Sequence, residues 1–112
     1  MKRGDLVIAA VPGDYGKPRP HVVVQTDALN PTHASVLACP LTTELRGYPY
    51  RVALLAQQTQ GLDRDSEVMT DKLQAIRRDR VSRIVGAVST DQLREIEARL
   101  AFVLGLRGQT HA

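Results

Sequence analysis

The chain has no tryptophan and a single phenylalanine, Phe102, and aromatic residues make up only 4% of its 112 positions. An aromatic core is therefore excluded. The 43% of hydrophobic residues must fill the interior with Val, Leu, Ile and Ala. One cysteine, Cys39, rules out an internal disulfide framework and fits a reducing, cytoplasmic setting. No apolar run approaches the ~20 residues of a membrane span. The opening "MKRGDLVIAA" has the charge and part of the apolar run of a signal peptide, but Asp5 interrupts it, so it reads as a first strand.

Several chemistries lack their residues. His21, His33 and His111 share no helical spacing and Cys39 has no CxxC partner, so neither a metal site nor a cofactor is expected. Each histidine reads as a surface or loop residue. GxxxxGK[ST], GxGxxG and GxSxG are all missing, which argues against a Walker site, a dinucleotide site and a nucleophile elbow. Cys39, inside an alternating apolar run, reads as a buried structural thiol.

What is present is a series of short β-like segments. "DLVIAAV" (5–11), "HVVVQT" (21–26), "ASVLACPLT" (34–42) and "YRVALLA" (50–56) read as strands. "PGDYGKPRP" and "DALNPT" are dense in turn residues. Pro40 marks a strand end, bulge or edge. "EVMTDKLQAI" (67–76) reads as one bent strand or two short ones, and "VSRIVGAV" (81–88) as a last strand. The pattern then changes. "STDQLREIEARLAFVLGL" places Leu93, Ile96, Leu100, Val103 and Leu104 on one helical face, with Ser89 and Gln92 as a capping box and Gly105 as C-cap. The expected fold is mainly β: one domain over residues 1–106, a small bent antiparallel sheet or barrel with a C-terminal amphipathic helix. Residues 107–112 read as a frayed tail.

The formal net charge is +3, and arginine carries most of the positive charge, with lysine only at Lys2, Lys17 and Lys72. Arginine suits bidentate phosphate contacts, so the balance leans towards nucleic acid. "IRRDRVSR" sets Arg77, Arg78, Arg80 and Arg83 close together. It reads either as a solvated surface paired with Asp79 or as a phosphate-contacting patch. In "YGKPRP", Pro18 and Pro20 hold Lys17 and Arg19 extended. That is either a stiff strand start or a preorganised anion clamp.

Six blocks in order resemble the MazF/PemK family: "RGDLV", "GKPRPHVVVQ", "CPLTT", "GYPYRVAL", "VMTDKLQAI" and the ending from "RIVGAV" through the helix. The resemblance implies an SH3-like barrel of the CcdB/PemK type that forms homodimers. It implies a toxin of a type II toxin–antitoxin module: a metal-independent endoribonuclease acting on single-stranded RNA and blocked by a cognate antitoxin. The family's catalytic Arg and Thr fall on Arg19 and Thr42, which should lie close enough to hold one phosphate. Thr43 would share the role of Thr42. Lys17, Lys72, Arg77 and Arg78 would contact RNA, and Asp71 would either satisfy backbone or read a base. Asp14 and Asp71 are the acids nearest the relevant blocks, while Tyr15, Tyr48 and Tyr50 are candidates for base stacking, with strand or dimer contacts the alternative for Tyr48 and Tyr50. Lys72 stands where the family usually has Gln, and the loop before Arg19 is short. Two alternatives stay open. One is a CcdB-like toxin that poisons DNA gyrase, for which the typical Trp at the helix end is missing from "FVLGL". The other is an RNA- or phosphate-binding module without activity.

Overall fold

A computed structural model describes residues 1–13 and 17–106. The expected loop acid Asp14, Tyr15, His111 and the tail 107–112 lie outside the described residues. The strands are β1 (Asp5–Ala9), β2 (Arg19–Val23), β3 (Ser35–Thr42), β4 (Val52–Leu54), β5 (Ser66–Val68), β6 (Gln74–Arg77) and β7 (Val81–Ala87). Helix α1 spans Thr90–Leu104. All pairings are antiparallel along the path β4-β5-β3-β2-β1-β7, with β6 also on β3.

Strand β3 explains the position of Pro40. Its first half, Ser35 to Ala38, pairs with β6, and its last two residues, Leu41 and Thr42, pair with β5. Pro40 falls between the two ladders, where a missing N–H costs least. Its carbonyl accepts the Met69 N–H at 2.9 Å. The segment 67–76 is accordingly two strands, separated by a single 3-10 turn at Thr70–Lys72.

Side-chain alternation in the central strands feeds two apolar clusters. Leu6, Val22, Cys39, Leu41, Val52, Leu54 and Val68 face α1 and pack with Ile96 and Leu100. Val7, Ala9, Val23, Val36, Ala38 and Ile76 form the second cluster on the opposite face. With both faces covered, the central strands read as nearly continuous apolar runs. Alternation also corrects the reading of His21: it is a fully buried residue of β2, not a surface or loop one, because it shares the face of Val23.

The helix forms as its termini require. The Ser89 hydroxyl accepts the Gln92 N–H at 3.1 Å and the Gln92 side chain accepts the Ser89 N–H at 2.8 Å, completing the capping box. Gly105 closes the helix in the left-handed region at φ 65°. Ile96, Leu100 and Ala101 are buried, and Leu93 and Val103 are half-buried. Leu104 is 53% exposed, so the buried stripe ends before the helix does.

The path of the sheet ends on β4 and β7, and this seam is not zipped by a ladder among the described residues. Instead the Gln60–Gly61 backbone lies directly on Val85–Gly86. A Cβ on Gly86 would stand 1.9 Å from the Gln60 carbonyl oxygen, and one on Gly61 would stand 2.3 Å from that of Val85. Both obstacles are backbone and cannot rotate away. Gly86→Ala is expected to lower the unfolding free energy by about 2 kcal/mol or more. Urea denaturation checks this, and an unchanged midpoint would show that the seam can open without cost.

Candidate functional site

The β2–β3 register pairs Val23 with Ala38, Val22 with Cys39 and His21 with Pro40. Continued in the same sense, it brings Arg19 level with Thr42. The prolines beside Arg19 hold the extended backbone that lets β2 begin there. Arg19 and Thr42 both line one cavity of about 400 Å³, together with Glu44, Arg46, Tyr48, Arg51, Met69 and Lys72. The walls carry four cationic side chains and one carboxylate, Glu44, which pairs with Arg46 at 2.9 Å, and the balance suits an anion. The Thr42 hydroxyl accepts the Glu44 N–H at 3.1 Å, which sets its orientation while leaving its own proton to donate.

A second group of residues braces this cavity. Arg51 donates from Nε to Asp71 Oδ1 at 2.9 Å and from Nη2 to Oδ2 at 3.0 Å. It also lies 3.9 Å from buried Glu67, whose other oxygen accepts the Gly47 N–H at 2.7 Å. The Asp71 carboxyl is held below its ordinary value by the Arg51 hydrogen bond, and the same bond raises Arg51. The Arg51 guanidinium sits 4.9 Å over the Tyr48 ring, and Tyr48 stacks on Tyr50 at 5.4 Å with planes 13° apart. Asp71 therefore anchors an arginine, and the two tyrosines stack on each other.

The remaining predicted residues are dispersed. Lys72 is exposed in the 3-10 turn and reaches the Arg19–Thr42 cavity, while Lys17 is exposed just before β2. Thr43 lines a different cavity of about 390 Å³ with Pro20, Arg64 and Arg83. The run "IRRDRVSR" does not form one patch. Arg77 pairs with Asp79 at 2.6 Å, Arg78 donates to the Asn30 carbonyl at 2.7 Å, and Arg83 turns to the Thr43 side. The 3-10 turn Arg78–Arg80 and the start of β7 send consecutive arginines in different directions. Cys39 is buried, and burial pushes its thiol up to about 12, which removes it as a nucleophile.

Sequence reading missed Arg46, Arg51 and Glu44 as cavity residues. Arg51 had a signal: it is the only charge in "GYPYRVAL", directly before the apolar run of β4. Among the described residues, no group of three His, Cys, Asp or Glu is placed to hold a metal ion, and no helix is long and apolar enough to cross a membrane.

Comparison with known proteins identifies the family and the fold. Residues 2–104 match the family described as PemK-like, MazF-like toxin of type II toxin-antitoxin system. A probable endoribonuclease MazF from Mycolicibacterium smegmatis is 38% identical over 111 residues, covering 96% of this chain and all of that protein. Among solved structures, an endoribonuclease in complex with its cognate antitoxin, from a mycobacterial species, superposes with a TM-score of 0.82. It is 26% identical, over 95% of this chain and 96% of its own. A MazE-MazF complex from Deinococcus radiodurans gives a TM-score of 0.78 at 29% identity, over 94% and 95% of the two chains. This chain thus belongs to the PemK-like, MazF-like toxins of type II toxin–antitoxin systems.

Proposed function

We propose that this toxin is an endoribonuclease that cleaves single-stranded RNA without a metal ion. The observation that carries the reading is that Arg19 and Thr42, at the ends of two adjacent strands, line one cationic cavity. Relatives named as endoribonucleases support it and favour it over gyrase poisoning.

The scissile phosphate sits between Arg19 and Thr42. The neighbouring ribose 2′-oxygen gives up its proton and attacks phosphorus. The P–O5′ bond breaks and O5′ takes a proton. The products are a 2′,3′-cyclic phosphate and a 5′-hydroxyl. Arg19 supplies a permanent cation with several donors to the charge that grows on the phosphorane oxygens. Its high pKa makes electrostatic stabilisation its role, not proton donation. Thr42 donates its hydroxyl to a phosphate oxygen and fixes the in-line geometry. Lys72 extends the positive field along the strand of RNA. Asp71, committed to Arg51, acts by holding the cavity wall.

The protein works as a homodimer in the cytoplasm. Restraint by a cognate antitoxin is supported by structural neighbours solved with theirs. Apolar side chains are available for such contacts at the end of α1, where Phe102 is 65% exposed.

Arg19→Ala and Thr42→Ala are each expected to lower cleavage by at least about a hundredfold while leaving the melting temperature nearly unchanged. Cleavage of a long RNA in EDTA, with mass analysis of the new ends, checks this. A 2′-deoxy substitution at the cut position should abolish it. Full activity in either variant sinks the site assignment, and gyrase-dependent DNA damage without RNA cleavage sinks the nuclease reading.

The Arg51–Asp71 pair gives a pH-dependent prediction. The folded-state pKa of Asp71 is lowered, so its stabilising contribution is fully present above the unfolded value near 3.8 and is lost as pH falls through the folded value. Asp71→Asn should flatten that part of the acid limb in a plot of melting temperature against pH. An identical acid limb in the variant would mean that the pair contributes nothing.

A further inference from the structure

His21 is fully buried, yet the mechanism does not use it, and half-buried Gln74 touches it from a different strand. The two residues come from β2 and β6, on opposite edges of β3. His21 stands opposite Pro40 and Gln74 opposite Ala38. Their side chains meet across β3, over its small residues, at the rim of the second apolar cluster. They line a groove of about 230 Å³ with Pro12 and Pro40, and the groove shares Arg19 and Lys72 with the Arg19–Thr42 cavity. Whatever occupies this groove is the immediate neighbour of whatever Arg19 holds.

Two ring contacts bear on the polarity of the pair. His21 Nδ1 lies 2.9 Å from the Arg19 carbonyl oxygen. A carbonyl only accepts, so Nδ1 carries the proton. In the neutral ring this leaves a lone pair on Nε2, which lies 3.3 Å from Gln74 Nε2. The amide nitrogen must then be the group that faces histidine, because an amide oxygen there would oppose the lone pair. The Gln74 amide is therefore held in one of its two flip states. Its second N–H and its Oε1 present a donor and an acceptor in a fixed order.

We propose that Gln74 reads the base next to the scissile phosphate, and that His21 is the positioning residue that fixes which base class it accepts. This rests on the nuclease reading above. Adenine and cytosine offer an exocyclic donor beside a ring-nitrogen acceptor. Guanine and uracil offer an exocyclic acceptor beside a ring N–H. An amide fixed in one order, meeting a base in one orientation, separates these amino and keto classes. An amide able to flip would accept both.

The test maps the 5′ ends produced from a random-sequence single-stranded RNA by the full-length wild type, Gln74→Leu and His21→Leu. In parallel, each protein is titrated with single-stranded oligonucleotides that carry a 2′-deoxy block at the cut position and differ in one flanking base. The wild type should prefer one class over the other at a single flanking position by at least about fivefold. Gln74→Leu should erase that preference there and nowhere else, and His21→Leu should admit both classes. The ratio between sequences is the readout, so a change in overall rate does not affect it. The binding arm gives the same ratio for a variant that cleaves poorly. If His21→Leu does not fold, Gln74→Leu decides alone. A Gln74→Leu preference that matches the wild type at every position overturns the proposal, as does a wild type indifferent to amino and keto bases. A wild type that cleaves nothing but binds with a Gln74-dependent base preference overturns the nuclease reading and leaves this one standing.

Discussion

Strand β3 is hydrogen-bonded along both edges, and the other features of the molecule depend on it. One edge carries β2, and the other carries β6 and then β5. The β2 ladder brings Arg19 level with Thr42. The change of partner at Pro40 frees the chain between β5 and β6 to form the 3-10 turn that carries Asp71 and Lys72. Met69 is tied back to the Pro40 carbonyl, so this turn is anchored to the strand that holds Thr42. A slip of one residue along β3 would exchange its two faces and dismantle both apolar clusters, so burial on both sides holds the register that the cavity needs.

The cavity's charges are divided by environment. Arg51 is nearly enclosed, with its guanidinium spent on Asp71, Glu67 and the face of Tyr48. It braces a wall. Lys72 is exposed at the rim, where its charge extends into solvent and attracts a polyanion, whereas Arg46, also exposed, is paired with Glu44 at 2.9 Å. Arg19 stands between these regimes on a backbone stiffened by two prolines. A guanidinium held on such a backbone loses little entropy when a phosphate arrives. The formal charge of +3 is modest, and the concentration of cations around one cavity matters more than the total.

Much of the fold was legible because its signals are local. The capping box, the helical apolar stripe and Gly105 lie within one short segment and need no partner to be recognised. The strands stood out as aliphatic runs between turn residues, and Pro40 marked a real irregularity in β3. The arginine run misled for the same reason that these signals worked. Neighbours in sequence need not be neighbours on the surface, and a 3-10 turn followed by a strand scatters them. His21 misled because histidine in a central strand can be buried when a carbonyl and an amide satisfy it, and those partners cannot be read from its immediate neighbours.

The sequence by itself determined the aliphatic core, the single helix and its caps, the alternation of strands and turns, and the ordered blocks that mark the family. These rest on backbone preference and short-range periodicity, which each segment carries within itself. Only the tertiary structure decided which side chains meet. Arg51 finds Asp71 across 20 positions and His21 finds Gln74 across 53. It also set the Gln60–Gly61 backbone against Val85–Gly86, where neither glycine has room for a Cβ. Such contacts are set by strand register and by the bend of the sheet, which arise when all the strands bury their apolar faces together.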